Sequence, residues 1–153
     1  MGPGRRLSRE ERIDNLVVKL FLRAGIGPKR MRLLTVQGRK TGKPYTTPLT
    51  IVEIDGRRWL VAPYGGAAWV KNVEASGRAK LSRGRLTEQL AVEPVDAHEG
   101  AAVLKAYVRI EPSTRRAFKV EADASLEEFE AIASKHPVFR LVPIPPVDSG
   151  SSA

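Results

Sequence analysis

Two adjacent cations in a glycine-flanked turn, Gly38-Arg39-Lys40-Thr41-Gly42, are the side chains of this chain best suited to chemistry. Arginine offers a planar fork of donors to phosphate or carboxylate oxygens, and lysine a compact point charge. Thr41 adds a hydroxyl, and Gly42 lets the backbone approach a ligand closely. Further on, Gly65-Gly66 feeds a short predicted helix, Ala67 to Ser76, that carries Trp69 and Asn72. The free N–H groups at a helix start favour an anion or a polarised carbonyl. A cationic turn, an intervening strand face and a backbone-rich loop suit a large, flat, anionic molecule.

Other chemistries lack their residues. The chain has no cysteine, so disulfides, thiolate metal sites and a cysteine nucleophile are excluded. His98 and His136 lie far apart with no acid at ligand spacing, so no metal site is expected. Neither histidine sits in a glycine-rich or strand-end setting that would suit a nucleophilic triad. Gly38 to Lys43 falls short of a P-loop, having three residues between its glycines and Pro44 after the lysine. Glu127, Glu128 and Glu130 fall on one predicted helix and form no acid–base pair. Chemistry borrowed from an organic cofactor fits this inventory better.

At 153 residues the chain suits one domain, expected over residues 8–145, with a disordered basic start at 1–7 and a frayed tail at 146–153. The net charge of +9 is uneven: residues 1–44 hold 12 Lys/Arg against three acids (Glu10, Glu11 and Asp14), and the remainder balances. Nucleic acid, an anionic membrane surface or a polyanionic small molecule would each suit such a field. Specific nucleic-acid binding is not expected, because no recognition motif or interleaved aromatics accompany the charge. No apolar run could span a bilayer and no signal-peptide core is visible, so a cytoplasmic or membrane-peripheral location is expected.

The elements that must position these residues follow from periodicity and turn signals. Ser8 with Glu11 caps a first helix whose apolar stripe (Ile13, Leu16, Val17, Leu20, Phe21, Ala24) is expected to pack on a sheet. Its polar face (Arg12, Lys19, Arg23) leaves contact with a membrane surface as the alternative. Strands are predicted at residues 32–37, 45–54, 57–62, 78–83, 85–95 and 138–144, with Asp55-Gly56 as a two-residue hairpin. A second long helix starts at Asp96 and Glu99 and runs to about Arg109. Glu111-Pro112-Ser113 is a break, and Ser125 with Glu128 caps a helix to Lys135. Strands joined mainly by hairpins argue for an α+β fold, an antiparallel sheet or small barrel with helices packed on it.

The stretches TVQGRKTGKPYTTPL and DGRRWLVAPYGGAAWVKNVEASGRAKLSRG resemble the deazaflavin-dependent nitroreductase and quinone reductase family. The resemblance is densest over residues 33–85. It implies a split β-barrel, as in flavin-binding pyridoxamine-oxidase-like proteins. It also implies coenzyme F420 as cofactor and hydride transfer to a small-molecule acceptor such as a quinone, nitro compound or activated enone. On the same basis Arg39, Lys40, Thr41, Gly42, Lys43 and Pro44 are expected at the coenzyme's phosphodiester and polyglutamate tail. Thr35, Tyr45, Thr47 and Pro48 are expected along the neighbouring strands. Ala62, Pro63, Tyr64, Gly65, Ala68, Trp69, Val70 and Asn72 are expected around the ring. Related barrels are often homodimers.

Family members often carry cations where this chain has Tyr45 and Tyr64, which leaves aromatic surface at both places. Tyr45, Tyr64 and Tyr107 are the candidate proton donors, with solvent as the alternative. Tyr107 and Phe118 are also read as core residues. Two further readings stay open: a carrier that binds coenzyme F420 or a lipid without turnover, and an FMN- or heme-type split barrel using the same turn.

Overall fold

The structure is a computed structural model that describes residues 16, 18–65 and 67–145. The ends read as disordered, the Ser8–Glu11 cap, Arg12, Ile13 and Val17 lie outside these residues. Six strands form a closed antiparallel barrel. Around it run β1 (Met31–Gln37), β2 (Pro44–Ile54), β3 (Arg57–Val61), then β6 (Val138–Pro143), β5 (Leu86–Pro94) and β4 (Arg78–Arg83), which returns to β1. This is the expected α+β barrel, and each strand boundary lies within one residue of its predicted place.

Period-2 alternation builds two cores from the same strands. Leu34, Val36, Ile51, Leu60, Leu81, Leu90, Val92 and Phe139 fill the interior. Their neighbours Val52, Trp59 and Val61 point outward, against Ala101, Leu104, Tyr107 and Val108 of α3 (Ala97–Ile110) and against Phe118 and Phe129. Helix α2 (Ala68–Ser76) sends Val70 and Val73 into the interior core. Asp96 caps α3 by accepting from Glu99 N–H, and α5 (Leu126–Ile132) carries the complete Ser125–Glu128 capping box. The expected break at residues 111–113 holds more structure than expected. A single 3₁₀ turn at Pro112–Thr114, tied by Thr114 Oγ1 to the Glu111 carbonyl at 2.7 Å, leads into α4 (Arg115–Phe118).

β2 is longer than its second partner. Among the described residues, 44–50 pair only with β1, and β3 joins from Ile51 to Ile54. The first half of β2 therefore has one unpaired backbone edge. Pro48 lies in this half, where its missing N–H breaks no ladder on the open side.

The first helix, α1, is helical over residues 18–23 and departs from expectation. Leu16, Leu20 and Phe21 of the predicted core-facing stripe are each more than half exposed, whereas Leu22, off that stripe, is fully buried. The helix is held by its C-terminal end instead. Gly84 N–H donates to the Leu22 carbonyl at 2.7 Å, and a Cβ on Gly84 would lie 3.2 Å from Cα of Gly25. The Arg83 guanidinium donates to the carbonyls of Gly27, Pro28 and Met31, fastening the chain that follows. No described helix is long and apolar enough to cross a membrane.

Candidate cofactor site

Two cavities lie along the unpaired half of β2. The larger, about 630 Å³, is a groove lined by Pro44, Tyr45, Thr46 and Thr47 of that edge. Gly38, Arg39, Lys40 and Thr41 of the turn, Ala68, Trp69 and Asn72 of α2, and Lys19 of α1 complete it. The smaller, about 290 Å³, continues from Pro48, Leu49 and Thr50 of the same edge to Ala62, Pro63, Tyr64, Gly65, Tyr107 and Glu111. Trp69 borders both cavities, its ring edge-on to Phe139 of the interior core at 6.0 Å.

The turn between β1 and β2 is built from its own backbone. Gly38 N–H donates to the Lys43 carbonyl at 2.7 Å, and Gly42 N–H returns to Gly38 at 2.9 Å. Gly42 takes φ 73°, the left-handed region that glycine enters without strain. Gly38 is needed for a different reason. A Cβ there would lie 2.5 Å from Cε2 of Tyr45, whose ring folds back over the turn. Thr41 Oγ1 accepts from Lys43 N–H at 3.2 Å and lies 3.3 Å from the Tyr45 hydroxyl.

Asn72 fastens this turn to α2. Its Oδ1 accepts from the Arg39 backbone N–H at 3.1 Å and from Arg39 Nη1 at 2.8 Å. Both partners are donors, so the carboxamide oxygen must face them. The amide nitrogen then remains as a donor, and no protein acceptor meets it among the described residues. The resemblance placed Asn72 around the ring. It is buried, borders the groove and is bonded to the turn's arginine.

Most of the predicted residues come together at these cavities. Arg39, Lys40, Thr41, Pro44, Tyr45, Thr47, Ala68, Trp69 and Asn72 border the groove, and Pro48, Ala62, Pro63, Tyr64, Gly65 and Tyr107 border the smaller cavity. Four do not line either one. Val70 points into the interior core, and its N–H is spent on Ala67 at 3.1 Å. Thr35 lies on the outer face of β1 with its hydroxyl 2.9 Å from that of Thr46. Gly42 and Lys43 belong to the exposed arc of the turn, Gly42 shaping it through its left-handed conformation.

Several lining residues carried no sequence signal: Lys19, Thr46, Met31, Thr50 and Glu111. Thr50 Oγ1 donates to Glu111 Oε1 at 2.6 Å, across 61 residues of chain. Tyr107 serves both the outer core and the smaller cavity, whereas Phe118 is core alone. Burial first, then the Glu111 carboxylate, push the Tyr107 hydroxyl's pKa up, so it keeps its proton through the neutral range.

Expected outside any strand-end setting, His136 instead sits two residues ahead of β6. It is buried just ahead of β6, with Nδ1–H donating to the Pro63 carbonyl at 2.7 Å and its ring 4.6 Å from that of Phe118. It thus holds the Pro63–Gly65 segment that borders the smaller cavity. Burial lowers its pKa, against the opposing effect of the Pro63 hydrogen bond.

An antiparallel barrel with a cationic groove along an open strand edge is a split barrel with a site suited to an anionic ligand. The profile of the F420H(2)-dependent quinone reductase family matches residues 17–126. The chain belongs to that family: it is an oxidoreductase, and its cofactor is coenzyme F420. Among solved structures it is similar to an F420-H2 dependent reductase (FDR-A), at 24% identity and TM-score 0.54, covering 74% of this chain and 94% of that one. A structure described as a domain-swapped dimer is 21% identical with TM-score 0.58, covering 88% and 99%. A heme binding protein from Mycobacterium smegmatis is 16% identical with TM-score 0.51, covering 79% of this chain and 48% of that one. At these identities the structural likenesses speak to the fold.

Proposed function

We propose that the protein binds coenzyme F420 along the free edge of β2, tail in the cationic groove and ring against Trp69, and reduces quinones admitted to the smaller cavity. The observation that carries this reading is the polarity of that single edge. It begins among Arg39, Lys40 and Lys19, passes Trp69, and ends in a cavity bordered by Tyr64, Tyr107 and apolar side chains. The donor set fits the coenzyme's phosphodiester and glutamates: two adjacent cations, the Thr41 hydroxyl and the spare Asn72 amide nitrogen. Coenzyme F420, when bound, supplies a hydride to a two-electron acceptor. Arg39 and Lys40 hold the tail, Trp69 walls the ring, and the Tyr107 hydroxyl, which stays protonated, donates a hydrogen bond to the acceptor's oxygen. Nitro compounds and activated enones present comparable oxygens and are included as acceptors of the same class.

Titration with coenzyme F420 by fluorescence quenching, with FMN alongside, tests the binding half. F420 is expected to bind more tightly than FMN. Oxidation of the reduced coenzyme with menadione tests the other half. Tighter FMN binding contradicts the cofactor placement, and coenzyme binding without turnover across a broad acceptor panel contradicts the quinone assignment.

A peripheral membrane contact is a second reading, supported by Leu16, Leu20, Phe21 and Ile26, each more than half exposed beside Lys19 and Arg23. Apolar and basic side chains on one segment suit an anionic lipid surface. Co-sedimentation with anionic vesicles but not neutral ones is expected. Equal recovery in the supernatant with both would remove this reading.

A further inference from the structure

Glu111 is the only charged residue lining the smaller cavity among the described residues. It follows α3 directly as the C-cap, its N–H donating to the Tyr107 carbonyl at 2.8 Å. A carboxylate there faces the negative end of the helix dipole, which opposes it. Its side-chain hydrogen bond comes from the neutral Thr50 hydroxyl, and among the lysines and arginines whose side chains are described, which leaves out Arg115, none is ion-paired with it. The charge falls on a cavity also bordered by Pro48, Leu49, Pro63 and Trp69 and by Tyr64 and Tyr107. A few ångströms of low-dielectric wall make such a charge far more effective than one in bulk water.

We propose that Glu111 is a specificity-determining residue whose carboxylate excludes anionic acceptors from the smaller cavity and leaves it to neutral ones. The proposal rests on the reading of that cavity as the acceptor site. The same charge opposes entry of the coenzyme's polyanionic tail from this end, so the cationic groove and Glu111 together set which way the coenzyme lies along β2. Like charges brought together at a partly desolvated site disfavour binding strongly, whereas neutral ligands feel little of the field.

The test compares menadione with 1,4-naphthoquinone-2-sulfonate, which share the naphthoquinone nucleus and differ in charge. Binding to the full chain is read by quenching of tryptophan emission, with and without saturating coenzyme F420, in wild type and in Glu111→Gln. Glutamine keeps an oxygen to accept from Thr50 and removes only the charge. Wild type is expected to bind menadione about tenfold or more tightly than the sulfonate, a gap that narrows with added salt. Glu111→Gln is expected to tighten sulfonate binding about tenfold more than it changes menadione binding. The kcat/KM ratio for the two acceptors should shift in parallel. A gap that is absent in wild type, or unchanged in Glu111→Gln while menadione still binds, overturns the proposal and leaves the acceptor cavity standing. Menadione that neither quenches nor is reduced overturns the cavity reading and the proposal with it.

Discussion

The carboxamide oxygen of Asn72 accepts both the backbone N–H and the guanidinium of Arg39, a residue 33 positions earlier in the chain. One buried atom on α2 therefore fixes where the cationic turn stands and how its arginine points. A hydrogen bond to a charged group contributes about 1.5–3 kcal/mol, and its loss leaves the guanidinium free to sample other rotamers.

Asn72→Ala is expected to weaken coenzyme F420 binding about tenfold, a change of about 1.4 kcal/mol. Asn72→Asp keeps an acceptor for Arg39 but places a carboxylate at the groove, so it should bind the coenzyme no better than the alanine variant. Coenzyme titrations of both variants check this. An aspartate variant with wild-type affinity would show that the groove does not meet an anion.

Gly38 and Tyr45 form a second coupled pair. The ring of Tyr45 occupies the space a Cβ on Gly38 would need. Gly38→Ala alone should lower stability by about 1 kcal/mol by displacing the ring, and should cost less than half of that in a Tyr45→Ala background. A double-mutant cycle by urea denaturation measures the coupling. Additive losses would mean that the ring moves aside freely.

His136 gives the site a dependence on pH. Its folded pKa lies below the ordinary value of 6.5, chiefly through burial. The unfolded state therefore takes up the proton first. The neutral ring's contribution to stability is complete above about 6.5 and is lost progressively as pH falls below it, until the depressed folded pKa is passed. Thermal midpoints between pH 8 and 5 should fall more for wild type than for His136→Asn, whose amide can still donate to Pro63. Parallel curves would contradict the assignment. The asparagine variant should also keep more activity than His136→Phe, which cannot hold the Pro63 carbonyl.

Among the described residues, Trp69 is the one side chain common to both cavities. Trp69→Ala should raise KM for the acceptor and Kd for the coenzyme together, whereas Trp69→Phe should restore both in part. A change confined to one constant would separate the two cavities functionally.

The barrel was legible because its strands carry alternating inner and outer residues between strong turn signals such as Asp55-Gly56. The cationic turn was legible because its ligand-seeking residues are consecutive. The links that complete the site are long-range side-chain bonds, which periodicity does not encode. Asn72 reaches Arg39, Thr50 reaches Glu111 across 61 residues, and His136 reaches Pro63 across 73. The first helix was misread for a related reason. A 3.6-residue stripe tells which side of a helix is apolar, but not whether the barrel offers that side a surface. Here the backbone contact of Gly25 with Gly84 and the Arg83 clamp decide the docking, and they bury Leu22 instead.

The central claim is that Arg39 and Lys40 grip the coenzyme's anionic tail. It is tested most directly by comparing Kd for coenzyme F420 with Kd for the tail-less deazaflavin riboside, in wild type and in Arg39→Ala/Lys40→Ala. Wild type should prefer the full coenzyme by about a hundredfold, as expected from two charge-assisted contacts, and the double variant should lose most of that preference while its Tm stays within about 3 °C of wild type. A double variant that keeps the preference would place the tail elsewhere and contradict the account.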